Sequence, residues 1–195
     1  MRRKPIIYLD TNIVRDCFSG RNKLSVILLR EFKKSKLRCI TSTLSTMELY
    51  DTEKENISLI TSIKKGYEGG ALLSKRRNTT LNSTQLRKIN SKIDLFFKRY
   101  KFIEIWDLEK DDDWDLAKGI SSSTNIATND AIHLMIAIKV GVNLLITKDS
   151  HFLTEAEDFI KTLDLWDQIR VSNVENALKV LEEMGFKNTN VISSS

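Results

Sequence analysis

Two short apolar runs, each closed by an aspartate, constrain this chain more than any other feature. Ile6-Ile7-Tyr8-Leu9 stops at Asp10, and Leu144-Leu145-Ile146-Thr147 stops at Lys148-Asp149. Runs of this length read as buried strands, and Asp10-Thr11-Asn12 starts a helix directly after the first of them. Further short strands are expected at 37–41, 102–106 and 169–171. Helices are expected at 25–32, 43–51, 111–118 and 129–140, the last stopped by Gly141, with a polar loop at 121–125. Ser172-x-x-Glu175 has the spacing of a capping box for a final helix. Strands alternating with helices in this way predict an α/β fold with a mainly parallel central sheet flanked by helices.

The stretch from about 52 to 100 breaks that alternation. It is long, polar and helical, with Leu86, Ile89, Ile93, Phe96 and Tyr100 recurring at three- and four-residue steps. It is expected to form a helical insertion of two helices broken near Gly69-Gly70, inside a single domain covering 1–195. At 195 residues, 41% hydrophobic and 29% charged, the chain is long enough for one core and too apolar for disorder.

Cysteine and histidine usage narrows the chemistry. Only Cys17, Cys39, His133 and His151 are present, so neither a disulfide framework nor a zinc site of usual spacing is expected, and a reducing, cytoplasmic setting fits. The basic start Met1-Arg2-Arg3-Lys4 precedes too few apolar residues for a signal sequence, and no segment is apolar enough to span a membrane.

Charge is divided along the chain. Residues 1–101 carry 23 Lys and Arg against 9 Asp and Glu, a net +14, while residues 102–195 carry 8 against 17, a net −9. The exposed cluster Lys75-Arg76-Arg77 belongs to the basic half. Such a half suits a phosphate-rich partner, although solvated lysine-rich helices give the same count.

In a parallel sheet with right-handed crossovers, strand C-termini and the N-termini of the helices that follow share one edge, where such folds place ligands. Asp10 and Asp149 end strands at that edge. Asp130 opens the helix that returns to the strand at 144–147, and Glu48 falls within two turns of the strand at 37–41. Each has an ordinary reading as a helix cap, an Asx turn or a dipole complement. Ser45-x-x-Glu48, for instance, matches a capping box. Four carboxylates without His or Cys nonetheless form an oxygen donor set suited to Mg²⁺ or Mn²⁺.

Tyr8-Leu9-Asp10-Thr11-Asn12, Met47-Glu48-Leu49, Asn129-Asp130-Ala131-Ile132-His133-Leu134 and Leu145-Ile146-Thr147-Lys148-Asp149-Ser150-His151-Phe152 resemble, in order, the acidic motifs of the PIN-domain ribonucleases. The resemblance reaches from residue 6 to 153. It implies a PIN-like three-layer sandwich and a metal-dependent endoribonuclease with Asp10, Glu48, Asp130 and Asp149 as catalytic metal ligands. Asn12 and Thr147 match supporting polar positions. It further implies RNA as substrate, with Lys75, Arg76 and Arg77 available to hold it, and, as in the toxin members, a protein antitoxin. The stretch 52–100 departs from those small members by being longer and more basic, and its apolar face would also suit a homodimer mate.

Two rival readings stay open. Asp10 after an apolar strand also resembles the nucleophile of haloacid-dehalogenase-type phosphatases, except that Asn12 stands where those enzymes carry a second aspartate. A PIN-like module that binds RNA or protein without cutting is the other. His133 shares a helix face with Asp130 and reads first as a packed histidine, His151 as surface loop, Asp111-Asp112-Asp113 as an acidic first turn, and Trp106, Trp114 and Trp166 as packing residues.

Overall fold

The computed structural model describes residues 4–78 and 80–185. Its centre is a five-stranded, all-parallel sheet in the order β3-β2-β1-β4-β5, built from β1 (Ile6–Leu9), β2 (Arg38–Ser42), β3 (Ile103–Trp106), β4 (Leu144–Ile146) and β5 (Arg170–Ser172). The helices are α1 (Thr11–Ser19), α2 (Lys23–Lys34), α3 (Thr43–Lys64), α4 (Gly69–Asn78), α5 (Ser83–Arg99), α6 (Asp111–Ser123), α7 (Thr128–Val140), α8 (Ser150–Thr162) and α9 (Ala177–Glu183). The expected α/β architecture, with a parallel central sheet flanked by helices and a helical segment between β2 and β3, is the one observed.

Alternation along the strands divides the core into two faces. Ile6, Tyr8, Ile40, Leu145 and Val171 join one apolar cluster with Ala117 and Ile120 of α6, Leu134 and Ala137 of α7, and Phe152 and Ile160 of α8. The intervening Ile7, Leu9, Cys39, Leu144 and Ile146 point the other way and are fully buried. Right-handed crossovers account for this. The connections β3 to β4 and β4 to β5 step across the sheet in one direction, so α6, α7 and α8 cover one face; β1 to β2 steps the opposite way and sends α1 and α2 to the other. Every strand is buried on both faces except β3, whose Glu104 and Ile105 are exposed at the sheet edge.

The chain divides into two compact units: residues 4–44 with 102–185, which hold the sheet, and residues 45–101. In the second unit, Ile89, Ile93 and Phe96 bury one face of α5, which starts at a capping box formed by Asn82 and Gln85. Lys92 of α5 meets Glu53 of α3 at 2.6 Å.

Several boundaries differ from expectation. A single uninterrupted α3 covers both 43–51 and the start of the polar stretch, and the chain then turns at 65–68, where Gly66 takes φ 77°. Gly69 and Gly70 therefore begin α4 instead of breaking a helix. Residues 121–123 continue α6, not a loop, and the hydroxyls of Ser122 and Ser123 are satisfied within the helix by the carbonyls of Lys118 and Gly119. Ser172 caps nothing. It ends β5, donates to the Asn173 carbonyl, and α9 starts only at Ala177. The helix α8 replaces the loop expected around His151, whose Nε2–H donates to the Asn125 carbonyl at 3.1 Å. Gly141 does stop α7, with φ 69°.

Candidate functional site

The strand order reverses at β1, which has β2 on one side and β4 on the other. Ligand crevices of open parallel sheets form at such a point, beyond the strand C-termini. Asp10 emerges there from β1. Its backbone N–H extends the ladder to the Ile146 carbonyl at 3.0 Å, and its carbonyl accepts from Ile13 and Val14 as α1 begins.

The Asp10 side chain is buried and held at both oxygens. Oδ1 accepts the Thr11 backbone N–H at 2.6 Å, while Oδ2 accepts Asn12 Nδ2–H at 2.5 Å and the Thr147 hydroxyl at 2.6 Å. Thr147 Oγ1 in turn accepts from Asn12 Nδ2 and from the Asp149 backbone N–H, both at 3.0 Å. Asn12 Oδ1 accepts the Lys148 backbone N–H at 3.0 Å. The two supporting residues expected from the sequence, Asn12 and Thr147, thus bind the ends of β1 and β4 together around Asp10. A buried carboxylate needs this many donors, because each lone pair left dry costs free energy.

Asp149 follows β4 at the same edge and is exposed. Its Oδ1 caps α8, accepting the N–H groups of His151 and Phe152 at 2.9 and 3.0 Å. Its other oxygen makes no hydrogen bond among the described residues and stays available to a ligand.

Asp130 stands half-buried in the first turn of α7. One helical turn further along the same face is His133, buried among polar groups. His133 Nδ1 lies 2.7 Å from the Tyr8 hydroxyl and 3.1 Å from Ser42 Oγ. Its Nε2 lies 3.3 Å from Thr11 Oγ1 and 3.8 Å from Asp10 Oδ1. The Tyr8, Ser42 and Thr11 hydroxyls can each donate or accept, so they satisfy the ring nitrogens in either tautomer. His133 packs as expected, and it also fastens the start of α7 to the end of β1, bringing Asp130 to the Asp10 edge.

Glu48 lies on the second turn of α3 in the other unit, half-buried, with its carbonyl accepting the Thr52 hydroxyl at 2.8 Å. The backbone of Lys75, Arg76 and Arg77 belongs to α4, and their side chains lie outside the described residues. Among the described residues, no three His, Cys, Asp or Glu side chains are gathered closely enough to hold a metal ion. The acidic first turn at 111–113 has a structural partner, since Asp113 pairs with Lys139 of α7 and this holds its carboxyl below the usual range.

Residues the sequence did not single out complete the edge. Lys148 Nζ donates to Asp16 Oδ2 at 2.8 Å, which ties the residue before Asp149 to α1. Tyr8, Thr11 and Ser42 hold His133; nothing in a linear pattern links residues 8, 11, 42 and 133. Neither cysteine is poised as a thiolate. Burial, then the charge of Asp16, pushes the Cys17 thiol up to about 12, and burial alone raises Cys39.

No known protein family matches the chain, and neither does any curated protein. Among the described residues, no helix is long and apolar enough to cross a membrane.

Proposed function

We propose that this chain is a divalent-cation-dependent ribonuclease of PIN type. The observation that carries the reading is the pair Asp10 and Asp149, which follow neighbouring strands at the reversal of strand order and are tied through one hydroxyl, Thr147 Oγ1. Asp130 is held one turn from the histidine that faces Asp10.

The donor chemistry fits a hard cation. Asp10, Asp149 and Asp130 offer carboxylate oxygens only, both cysteines are held as thiols, and His133 is buried with both ring nitrogens already facing neighbours. In this reading Asp10, Asp130 and Asp149 hold Mg²⁺ or Mn²⁺. When bound, the cation supplies Lewis acidity toward a scissile phosphate and acidifies a water for in-line attack. The chain's own part is positional. Asn12 and Thr147 hold Asp10 fixed, the Asp149 Oδ1 contact with α8 leaves its second oxygen without a hydrogen bond among the described residues, and Lys148 offers an ammonium group to a phosphate when it leaves Asp16.

The phosphatase alternative requires a second acid two residues after Asp10. Asn12 stands in that place and is committed to Asp10, Thr147 and Lys148.

Incubation of the purified chain with end-labelled single-stranded RNA, with Mn²⁺ and with chelator, tests the proposal. Cleavage that needs Mn²⁺ and is lost in Asp149→Asn is expected. Cleavage equal in the two conditions, or none in either, overturns it.

A further inference from the structure

One face of α5 carries a stripe whose polar groups can all donate. Thr84, Arg87, Lys88, Ser91, Lys92 and Leu95 recur at three- and four-residue steps and line a shallow recess of about 370 Å³. The stripe lies on the side of the helix opposite the buried Ile89, Ile93 and Phe96, as a period of 3.6 requires. Its polar groups are a guanidinium, two ammonium groups and two hydroxyls, all able to donate. Lys92 is engaged with Glu53, but Arg87 and Lys88 have no ion-pair partner among the described residues. The charge around the stripe is lopsided too, since residues 64–101 carry eleven Lys and Arg against two Asp and Glu, a net +9.

We propose that this α5 stripe, with Arg87 and Lys88 at its centre, binds the sugar-phosphate backbone of single-stranded RNA. The inference rests on the ribonuclease reading for the identity of the polyanion. Phosphate oxygens accept and never donate, so a face whose polar groups can all donate complements them, and hydroxyls interleaved with cations match the usual mixture of backbone contacts. An acidic protein would match the charge equally, but protein interfaces draw their energy from buried aromatic or apolar anchors. Leu95 is the one large apolar side chain in the stripe, and it stands 65% exposed. A stripe with no aromatic anchor suits a partner bound by counterion release.

The test uses the full chain in chelator, so that nothing is cut, with a fluorescein-labelled oligouridylate and, separately, poly-glutamate as probes. Arg87→Gln/Lys88→Gln changes two exposed helix positions to a good helix former, so folding is preserved. The variant is expected to bind oligouridylate more weakly, with its log affinity against log salt shallower by about 1.4, or about 0.7 for each lost phosphate contact. The gap from wild type then closes about sevenfold between roughly 50 and 200 mM salt. A control that removes equal charge from the sheet unit, Lys118→Gln/Lys161→Gln, is expected to leave the slope unchanged. An unchanged slope in the α5 variant, an equal loss in the control, or binding of poly-glutamate but not oligouridylate overturns the proposal. Binding that behaves as expected in a chain that Mn²⁺ never activates would refute the ribonuclease reading and leave the RNA contact standing; Mn²⁺-dependent cleavage with an unaltered slope would do the reverse.

Discussion

The Thr147 hydroxyl donates to Asp10 Oδ2 at 2.6 Å across 137 positions of sequence, and the same oxygen accepts both the Asn12 amide and the Asp149 backbone N–H. One donation and two acceptances use the hydroxyl completely. The contact turns two strand ends into one rigid edge.

Replacing this hydroxyl with a methyl of equal size removes all three bonds and leaves the Asp10 carboxylate short of a donor in a dry setting. Thr147→Val is expected to lower stability by about 2–3 kcal/mol, a hydrogen bond to a charged group being the largest part, while Thr147→Ser retains most of it. Urea denaturation of the three proteins measures the difference. Equal midpoints for Val and wild type would show that Asp10 finds another donor.

Asp10→Asn keeps the shape of the side chain and removes its charge. If the carboxylate holds a cation, cleavage falls by about 100-fold or more, the scale seen when one preorganised electrostatic contact is lost. Circular dichroism is expected to stay near wild type, while the urea midpoint falls, because the new amide nitrogen faces groups that donate to Asp10, either the Thr11 N–H or Asn12 Nδ2 and the Thr147 hydroxyl. A folded variant that cuts RNA at the wild-type rate would remove Asp10 from the chemistry.

At the sheet edge, Arg38 donates from Nε and Nη2 to the two oxygens of Glu104 at 2.9 and 2.7 Å, pairing β2 with β3. These bonds hold the Glu104 carboxyl below its usual range, and burial opposes them only partly. A carboxyl with a depressed folded value contributes stability above its unfolded pKa and loses it as acid protonates it. Glu104→Gln is therefore expected to cost no more than about 1 kcal/mol near neutrality, both side chains being substantially exposed. The gap from wild type should vanish between about pH 5 and pH 3. Denaturant midpoints of the two proteins across that window check the sign.

Burial raises both thiols, so the folded chain presents little thiolate near pH 8. Iodoacetamide at that pH is expected to leave Cys17 and Cys39 unmodified in buffer and to alkylate both in urea. Mass spectrometry reads the result, and rapid single labelling in buffer would mean that α1 or β2 opens locally.

Much of the sheet was legible because its strands are short apolar runs with abrupt polar ends. Ile6–Leu9 was placed to the residue, and Leu144–Ile146 fell short by one because Thr147 is polar enough to leave the ladder's core and serve the site. The helix α8 was not legible. Its apolar residues Phe152, Ala156 and Ile160 lie four apart among acidic neighbours, and its cap is the very aspartate that also reads as a ligand. Ser172 had the right spacing for a cap, but pairing with β4 keeps it extended, which local pattern cannot register. For the site, Asp10, Asn12, Thr147 and Asp149 were visible as motif residues. The fastening of His133 by Tyr8 and Ser42 was not, because it depends on three elements meeting in space.

The parallel pairing of β2 with β3 obliges the chain to leave the sheet and return, a trip that a dozen or so residues can make. Here it takes the sixty residues 43–102. Closure entropy grows only with the logarithm of length, so the longer excursion costs about 1.4 kcal/mol more than the shortest. The register of Cys39 against Ile103 does not depend on what lies between. That connection is therefore where this fold accepts extra length at little cost, since the junction of β1 and β4, where Asp10 is clasped, forms without it.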